Sequence, residues 1–135
     1  MNILLATQEV RTQAVDILRD AQERIRDIKN WTIGKPAVDS DGFLVVTYSP
    51  KACKWCATGT MVLTVYKKSP TLEAESLAYK TINDIAAQSF PDSSYRGTIV
   101  WINDYIGHDA VIAIFDKAIA NLTQQHNHDT LPKSP

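Results

Sequence analysis

Val10, Ala14, Ile17, Leu18, Ala21, Ile25 and Ile28 recur at spacings of three and four residues, the repeat of a surface helix with one buried stripe. Arg11, Asp16, Arg19, Asp20, Glu23, Arg24, Arg26 and Asp27 fill the other side of that helix. Thr7 is placed to cap its exposed amides, and Glu9 falls in the first turn, where the helix dipole favours negative charge. Gly34, Pro36 and the run Asp39-Ser40-Asp41-Gly42 then stop the helical pattern. A short β-branched and aromatic run follows over residues 43–48, so residues 32–48 predict a small hairpin with Asp41-Gly42 in its turn. Two strands do not stand alone in water and must pack on helices.

Ser49-Pro50 reads as a cap followed by proline at the first helical position, and predicts a second helix carrying Cys53, Cys56, Ala57, Gly59, Met61 and Leu63. Residues 58–66 are β-branched enough to suit a strand, but helix is the preferred reading. Ser69-Pro70 repeats the start signal for a third helix with Leu72, Leu77, Ala78, Ile82, Ile85 and Ala86 inward, closed by Phe90-Pro91. Residues 92–97 read as a loop. Ile99-Val100-Trp101-Ile102 is a buried apolar run too short to decide between strand and helical turn. After Gly107, Val111, Ile112, Phe115, Ala118, Ile119 and Leu122 form the apolar face of a last helix. The expected fold is mainly α with α+β character: a four-helix compact domain with a small β-hairpin between helices 1 and 2. It occupies residues 1–124 as a single globular domain, and residues 125–135 are expected to be a flexible polar tail.

Composition agrees with one domain. The chain has 135 residues, 44% of them hydrophobic and 21% charged, and a chain of this length buries roughly 68% of its unfolded surface, enough for a core without metal or disulfides. Fourteen Lys and Arg against fifteen Asp and Glu leave a net charge of -1, so no strong overall field exists to hold nucleic acid or an anionic membrane. No apolar run approaches the ~20 residues of a membrane span, and a cytoplasmic location is expected.

Candidate chemistry centres on Cys53-Lys54-Trp55-Cys56, a Cys-x-x-Cys that resembles superficially the active-site turn of thioredoxins and glutaredoxins. That fold needs further strands and a cis-proline facing the dithiol, and the chain has no proline beside residues 97–102. Buried cysteines that fill space are the commoner case, and the structural reading is preferred. A zinc site would need His108, His126 or His128 to complete the pair, and no second compact ligand pair accompanies it, so neither metal nor cofactor is expected. Cys56, Asp104 and His108, with Asn103, supply the residue types of a thiol nucleophile, base and orienting group. The preferred reading has Asn103 or Asp104 bonding backbone amides in their own turn and His108 starting the last helix. No glycine-rich phosphate loop, paired catalytic carboxylates or nucleotide fingerprint is present. Trp31, Trp55 and Trp101 are read as packing, with an exposed tryptophan able to anchor a partner.

Trp31-Thr32-x-Gly34, Asp41-Gly42, Trp55-Cys56-Ala57-x-Gly59 and Trp101-x-Asn103-Asp104, followed by Phe115-Asp116-Lys117-Ala118-Ile119, together resemble an uncharacterised domain-of-unknown-function family of small bacterial and phage-encoded proteins. The resemblance runs from about residue 10 to residue 119 and rests on the order and spacing of the motifs. In that pattern only the cysteine matching Cys56 is usual, so Cys53 is an addition. Thr60 stands where alanine is usual, and the stretch from Asp104 to His108 is shorter. The resemblance implies a mostly helical fold with a small hairpin and supplies no activity. The function expected is non-enzymatic: an accessory protein, encoded by a phage or mobile element, that binds a host protein complex. Trp31, Asn103, Asp104 and His108 are its candidate binding residues. The alternative is a small cysteine-dependent enzyme, an oxidoreductase through Cys53 and Cys56 or a hydrolase through Cys56 and His108.

Overall fold

The structure, a computed structural model, describes residues 3–91 and 98–130. These form α1 (Ile3–Ile25), a 3-10 turn (Ile28–Asn30), β1 (Ala37–Val38), β2 (Lys54–Trp55), α2 (Ala57–Lys68), α3 (Leu72–Ser89), α4 (Ile99–Tyr105) and α5 (His108–Thr130). The fold is mainly helical with a small antiparallel pair of strands, as the sequence predicts, but with five helices among the described residues rather than four. The undecided run at residues 99–102 is the extra one. Thr98 accepts from the Trp101 amide, Asn83 Oδ1 accepts from the Ile99 amide, and the turn so capped becomes helix. Gly107, at φ +133°, then separates α4 from α5 in a conformation that side-chain-bearing residues rarely adopt.

α1 is the central element and packs against α2, α3 and α5. Its predicted stripe supplies Ala14, Ile17, Leu18, Ala21 and Ile25 to a core shared with Met61, Ile82, Ile99, Ile102, Phe115 and Leu122. Three expectations at its ends are corrected. The helix begins at Ile3, so Thr7 lies inside it and is not a cap, Glu9 falls beyond the first turn, and the helix ends at Ile25, which leaves Ile28 exposed in the following turn.

The second helix starts later than Ser49-Pro50 predicts. Ser49 instead forms a local turn, its Oγ accepting from the Lys51 amide and its carbonyl from Ala52. The chain then runs extended so that Lys54 and Trp55 pair with Val38 and Ala37, and Cys53 therefore precedes the helix instead of belonging to it. Residues 58–66 are helical, as preferred. Ser69 likewise ends a helix where a start was expected. It takes a left-handed conformation (φ 47°) and returns its amide to the Val65 carbonyl, while Thr71 caps α3 by accepting from the Ala74 amide. Leu72, expected inward, is exposed. α3 closes at Phe90 as predicted.

The predicted Asp41-Gly42 turn is present. Asp39 Oδ1 accepts from the Asp41 and Phe43 amides, and Leu44 bridges Val38. The hairpin expected over residues 32–48 is thus reduced to that bridge, and the principal partner of β1 is β2. The loop expected at residues 92–97 lies outside the described residues. Of the expected tail, the backbone to Thr130 continues α5, and residues 131–135 lie outside the described residues.

Candidate functional site

The first turn of any helix leaves amides without partners, and in α2 one of them, that of Ala57, is met from far away in sequence. Asn103, on α4, is 1% exposed. Its Oδ1 accepts from the Ala57 amide (2.9 Å) and from the Trp31 indole Nε1 (2.7 Å), while its Nδ2 donates to the Thr32 carbonyl (3.1 Å) and to Asp104 Oδ1 (3.0 Å). Both donors and both lone pairs of this amide are therefore used. Asp104 Oδ1 also accepts from the Gly34 amide at 2.9 Å, with Gly34 at φ +77°. Asn103 and Asp104 do bond backbone amides, but not those of their own turn: the partners lie 46 and 70 residues away.

His108 joins the same cluster. Its Nε2 lies 2.7 Å from the carbonyl of Ile25, the last residue of α1. A carbonyl only accepts, so Nε2 carries the proton and satisfies one of the carbonyls that a helix end leaves open. The imidazole meets the Trp31 ring edge to face, with centroids 5.3 Å apart. Trp31, Asn103, Asp104 and His108, singled out in the sequence, are thus brought together. Trp31, Asn103 and Asp104 border a shallow cavity of about 320 Å³ that Ile33, Tyr105 and Ile106 also line; His108 lies outside it.

Cys56 adjoins this node through its chain neighbours, Trp55, whose carbonyl accepts from the Thr32 amide, and Ala57, whose amide donates to Asn103. It is buried and caps α2, its Sγ accepting from the Gly59 amide at 3.3 Å and lying 3.3 Å from Thr58 Oγ1. Among the described residues no hydrogen bond joins Cys56 to His108 or Asp104. Cys53 is half-buried and turned to β1, where its amide donates to the Val38 carbonyl. Both cysteines are free thiols.

Burial pushes the half-buried Tyr79 hydroxyl up to about 12 from 10.0, with Glu75 and Cys56 adding to the shift. Between those two values the unfolded chain releases the Tyr79 proton and the folded chain keeps it, so stability falls as pH rises above 10. Melting temperature followed through that alkaline range should drop more steeply for the natural protein than for Tyr79→Phe. Equal slopes would place the loss elsewhere.

Gly59 and a polar seam between α1 and α2 were not legible in the sequence. A Cβ at Gly59 would lie 1.8 Å from the Pro36 carbonyl oxygen. Arg24, assigned to the solvent side, instead donates to Thr60 O, Thr60 Oγ1, Thr64 Oγ1 and Asp20 Oδ2. Thr60, where the resemblance has alanine, is fully buried and donates to the Ala21 carbonyl at 2.8 Å. Burial raises the Asp20 carboxyl, but the hydrogen bonds from Thr64 and Arg24 outweigh it and hold the group below its usual value. Nothing in the spacing of Asp20 and Arg24 separates this half-buried partnership from an ordinary exposed ion pair.

Fold and site define a mainly helical domain whose connecting segments are tied by buried polar side chains to the starts and ends of its helices. The chain belongs to a family of unknown function, DUF6197, whose model matches residues 9–121. No curated protein matches the chain. No solved structure matches it either. No helix among the described residues is long and apolar enough to cross a membrane.

Proposed function

We propose that this protein is a non-enzymatic binding module, an accessory protein that docks on a partner protein and acts through that contact. The carrying observation is the exposure of an uncharged apolar segment: Phe43, Leu44, Val46 and Tyr48 are 68%, 62%, 57% and 54% exposed. Tyr48 stacks on Tyr66 of α2, ring centroids 4.5 Å apart, and continues the apolar surface onto that helix. Contiguous exposed apolar surface of this kind marks interaction sites. Support also comes from the candidate nucleophile and base. Cys56 is occupied as a helix cap and His108 as a partner of the α1 terminus, so these residues serve the fold. Trp31, Asn103 and His108 then set the position of residues 31–34, and the contact surface lies further along the loop.

The test is affinity capture from the native host, with the natural protein and a Phe43→Ser, Leu44→Ser double variant run side by side. Both side chains are exposed, so the variant should melt within a few degrees of the natural protein. A stoichiometric partner should be retained by the natural protein and lost by the variant. Identical capture by both proteins would refute this surface as the contact. Labelling of Cys56 at a rate typical of activated thiols in the folded protein would restore the enzyme reading.

A further inference from the structure

The exposed segment has a backbone edge as well as side chains. Leu44 faces Val38 in an antiparallel bridge in which the flanking residues make the bonds: the Asp39 amide donates to the Phe43 carbonyl at 2.9 Å and the Val45 amide to the Ala37 carbonyl at 3.2 Å. By the alternation of antiparallel pairing, the Leu44 amide and carbonyl point away from β1. They form the outer edge of a narrow strip that runs from Leu44 through β1 and β2 to the Thr32 amide, which donates to the Trp55 carbonyl. Natural edge strands are protected by charge, proline or cover. Residues 43–48, Phe-Leu-Val-Val-Thr-Tyr, contain neither charge nor proline.

Charge surrounds the segment, and it is mostly positive. Residues 29–68 hold Lys29, Lys35, Lys51, Lys54, Lys67 and Lys68 against Asp39 and Asp41, with no Arg or Glu, a surplus of four positive charges in a chain whose total is -1. All six lysines are exposed. Lys35 Nζ donates to the Gly42 carbonyl beside Phe43, Lys54 lies on β2 with β1 between it and Leu44, and Lys67 follows Tyr66. Asp39 is turned inward onto the amides of its own turn.

We propose that this edge takes up an extended, acidic segment of a partner protein, which adds as a strand along Leu44, sets apolar side chains against Phe43, Leu44, Val46 and Tyr48, places a carboxylate on Lys35 and sits in the positive field of the surrounding lysines. This is the strand-addition mode of peptide recognition, in which main-chain bonds give affinity and alternate side chains give selectivity. A second copy of this chain at the same edge would bring two positively charged surroundings together, which disfavours self-pairing. The inference rests on the binding reading above and names the chemistry of its partner.

Fluorescence anisotropy with a labelled peptide alternating glutamate and valine tests it. The peptide should bind with a Kd below about 1 mM. Affinity should fall at least about tenfold for the Lys35→Glu, Lys54→Glu double variant, for the same peptide with its backbone amides methylated, and for a lysine-valine peptide. Melting temperatures of the variants confirm that they are folded. Equal binding of the methylated peptide overturns strand addition, and equal binding of the lysine peptide overturns the acidic partner. Binding of neither peptide overturns the inference, while capture from the host that depends on Phe43 and Leu44 would still stand. Concentration-dependent dimerisation abolished by Leu44→Lys assigns the edge to a second copy. Tighter binding of single-stranded oligothymidylate than of the acidic peptide, lost in the double lysine variant, assigns the surface to nucleic acid. Either result overturns the proposal.

Discussion

Gly59→Ala should cost at least about 3 kcal/mol of stability, beyond the usual range for overpacking, although it places a better helix former in α2. In an open helix the change gains up to ~1 kcal/mol, because glycine loses more backbone freedom on folding. Here the added carbon would lie 1.8 Å from the Pro36 carbonyl oxygen, 2.6 Å from its carbon and 3.0 Å from the Pro36 Cα, all backbone atoms. No rotamer relieves a clash with backbone. That carbonyl also accepts from the Cys56 amide at 3.2 Å. The residue after Pro36 begins β1, so retreat of the loop pulls on the strand pair as well. Thermal unfolding by circular dichroism should show a melting temperature lower by roughly 10 °C. A melting temperature equal to or above that of the natural protein would mean that the loop does not press on α2 as described.

Gly59 also marks where sequence reading stops. Its position in Trp55-Cys56-Ala57-x-Gly59 is visible in the sequence, but the reason for a glycine there lies in a loop segment that folds back across the helix. Local signals were legible. The stripe of α1 is a one-sided repeat, the Asp39 to Gly42 turn is built from its own amides, and α3 closes at Phe90, before the proline. Start signals made of serine and proline failed because the same dipeptide suits a turn or a helix exit. At residues 49–50 the strand pairing of Lys54 and Trp55 keeps the following chain extended, and at residue 69 the backbone turns left-handed to close α2. Both outcomes are decided by contacts outside the local window. Arg24 and Asp20 were misplaced for a related reason, since a polar residue on a helix reads as solvent-facing until a neighbouring helix offers it Thr60 and Thr64.

The candidate site was legible as a set of residues and not as an arrangement. Trp31, Asn103, Asp104 and His108 stand out because polar or amphipathic side chains next to apolar runs need partners. Which groups they meet depends on how α4 crosses the loop before β1. The exposed segment at residues 43–48 was read as a strand of the predicted hairpin. A strand was expected to bury one face, and instead four of its six side chains stay exposed while Thr47 turns inward. That mismatch between a strand-like sequence and an exposed setting is the feature on which the binding proposal stands.

Asn103→Ala should destabilise the protein by about 2–4 kcal/mol, more than loss of a single ordinary hydrogen bond, because it strands several partners at once: a buried Ala57 amide and the half-buried Trp31 indole and Thr32 carbonyl. The Trp31 indole N–H, the Ala57 amide and the Thr32 carbonyl would all lose their Asn103 partner. Each group left unsatisfied in a buried setting costs about 1–3 kcal/mol, and entry of water into the vacated volume offsets part of the sum. Asn103→Asp separates shape from bonding. A carboxylate keeps the acceptor for Trp31 and Ala57 but cannot donate to the Thr32 carbonyl, and it sets a second negative charge beside Asp104. The aspartate variant should therefore also be destabilised, and should recover part of the loss as acid protonates it. Urea denaturation of both variants at neutral pH, and of the aspartate variant again at mildly acidic pH, measures these differences. A loss below about 1 kcal/mol for Asn103→Ala would show that the links from α4 to Trp31, Thr32 and Ala57 do not hold the loop.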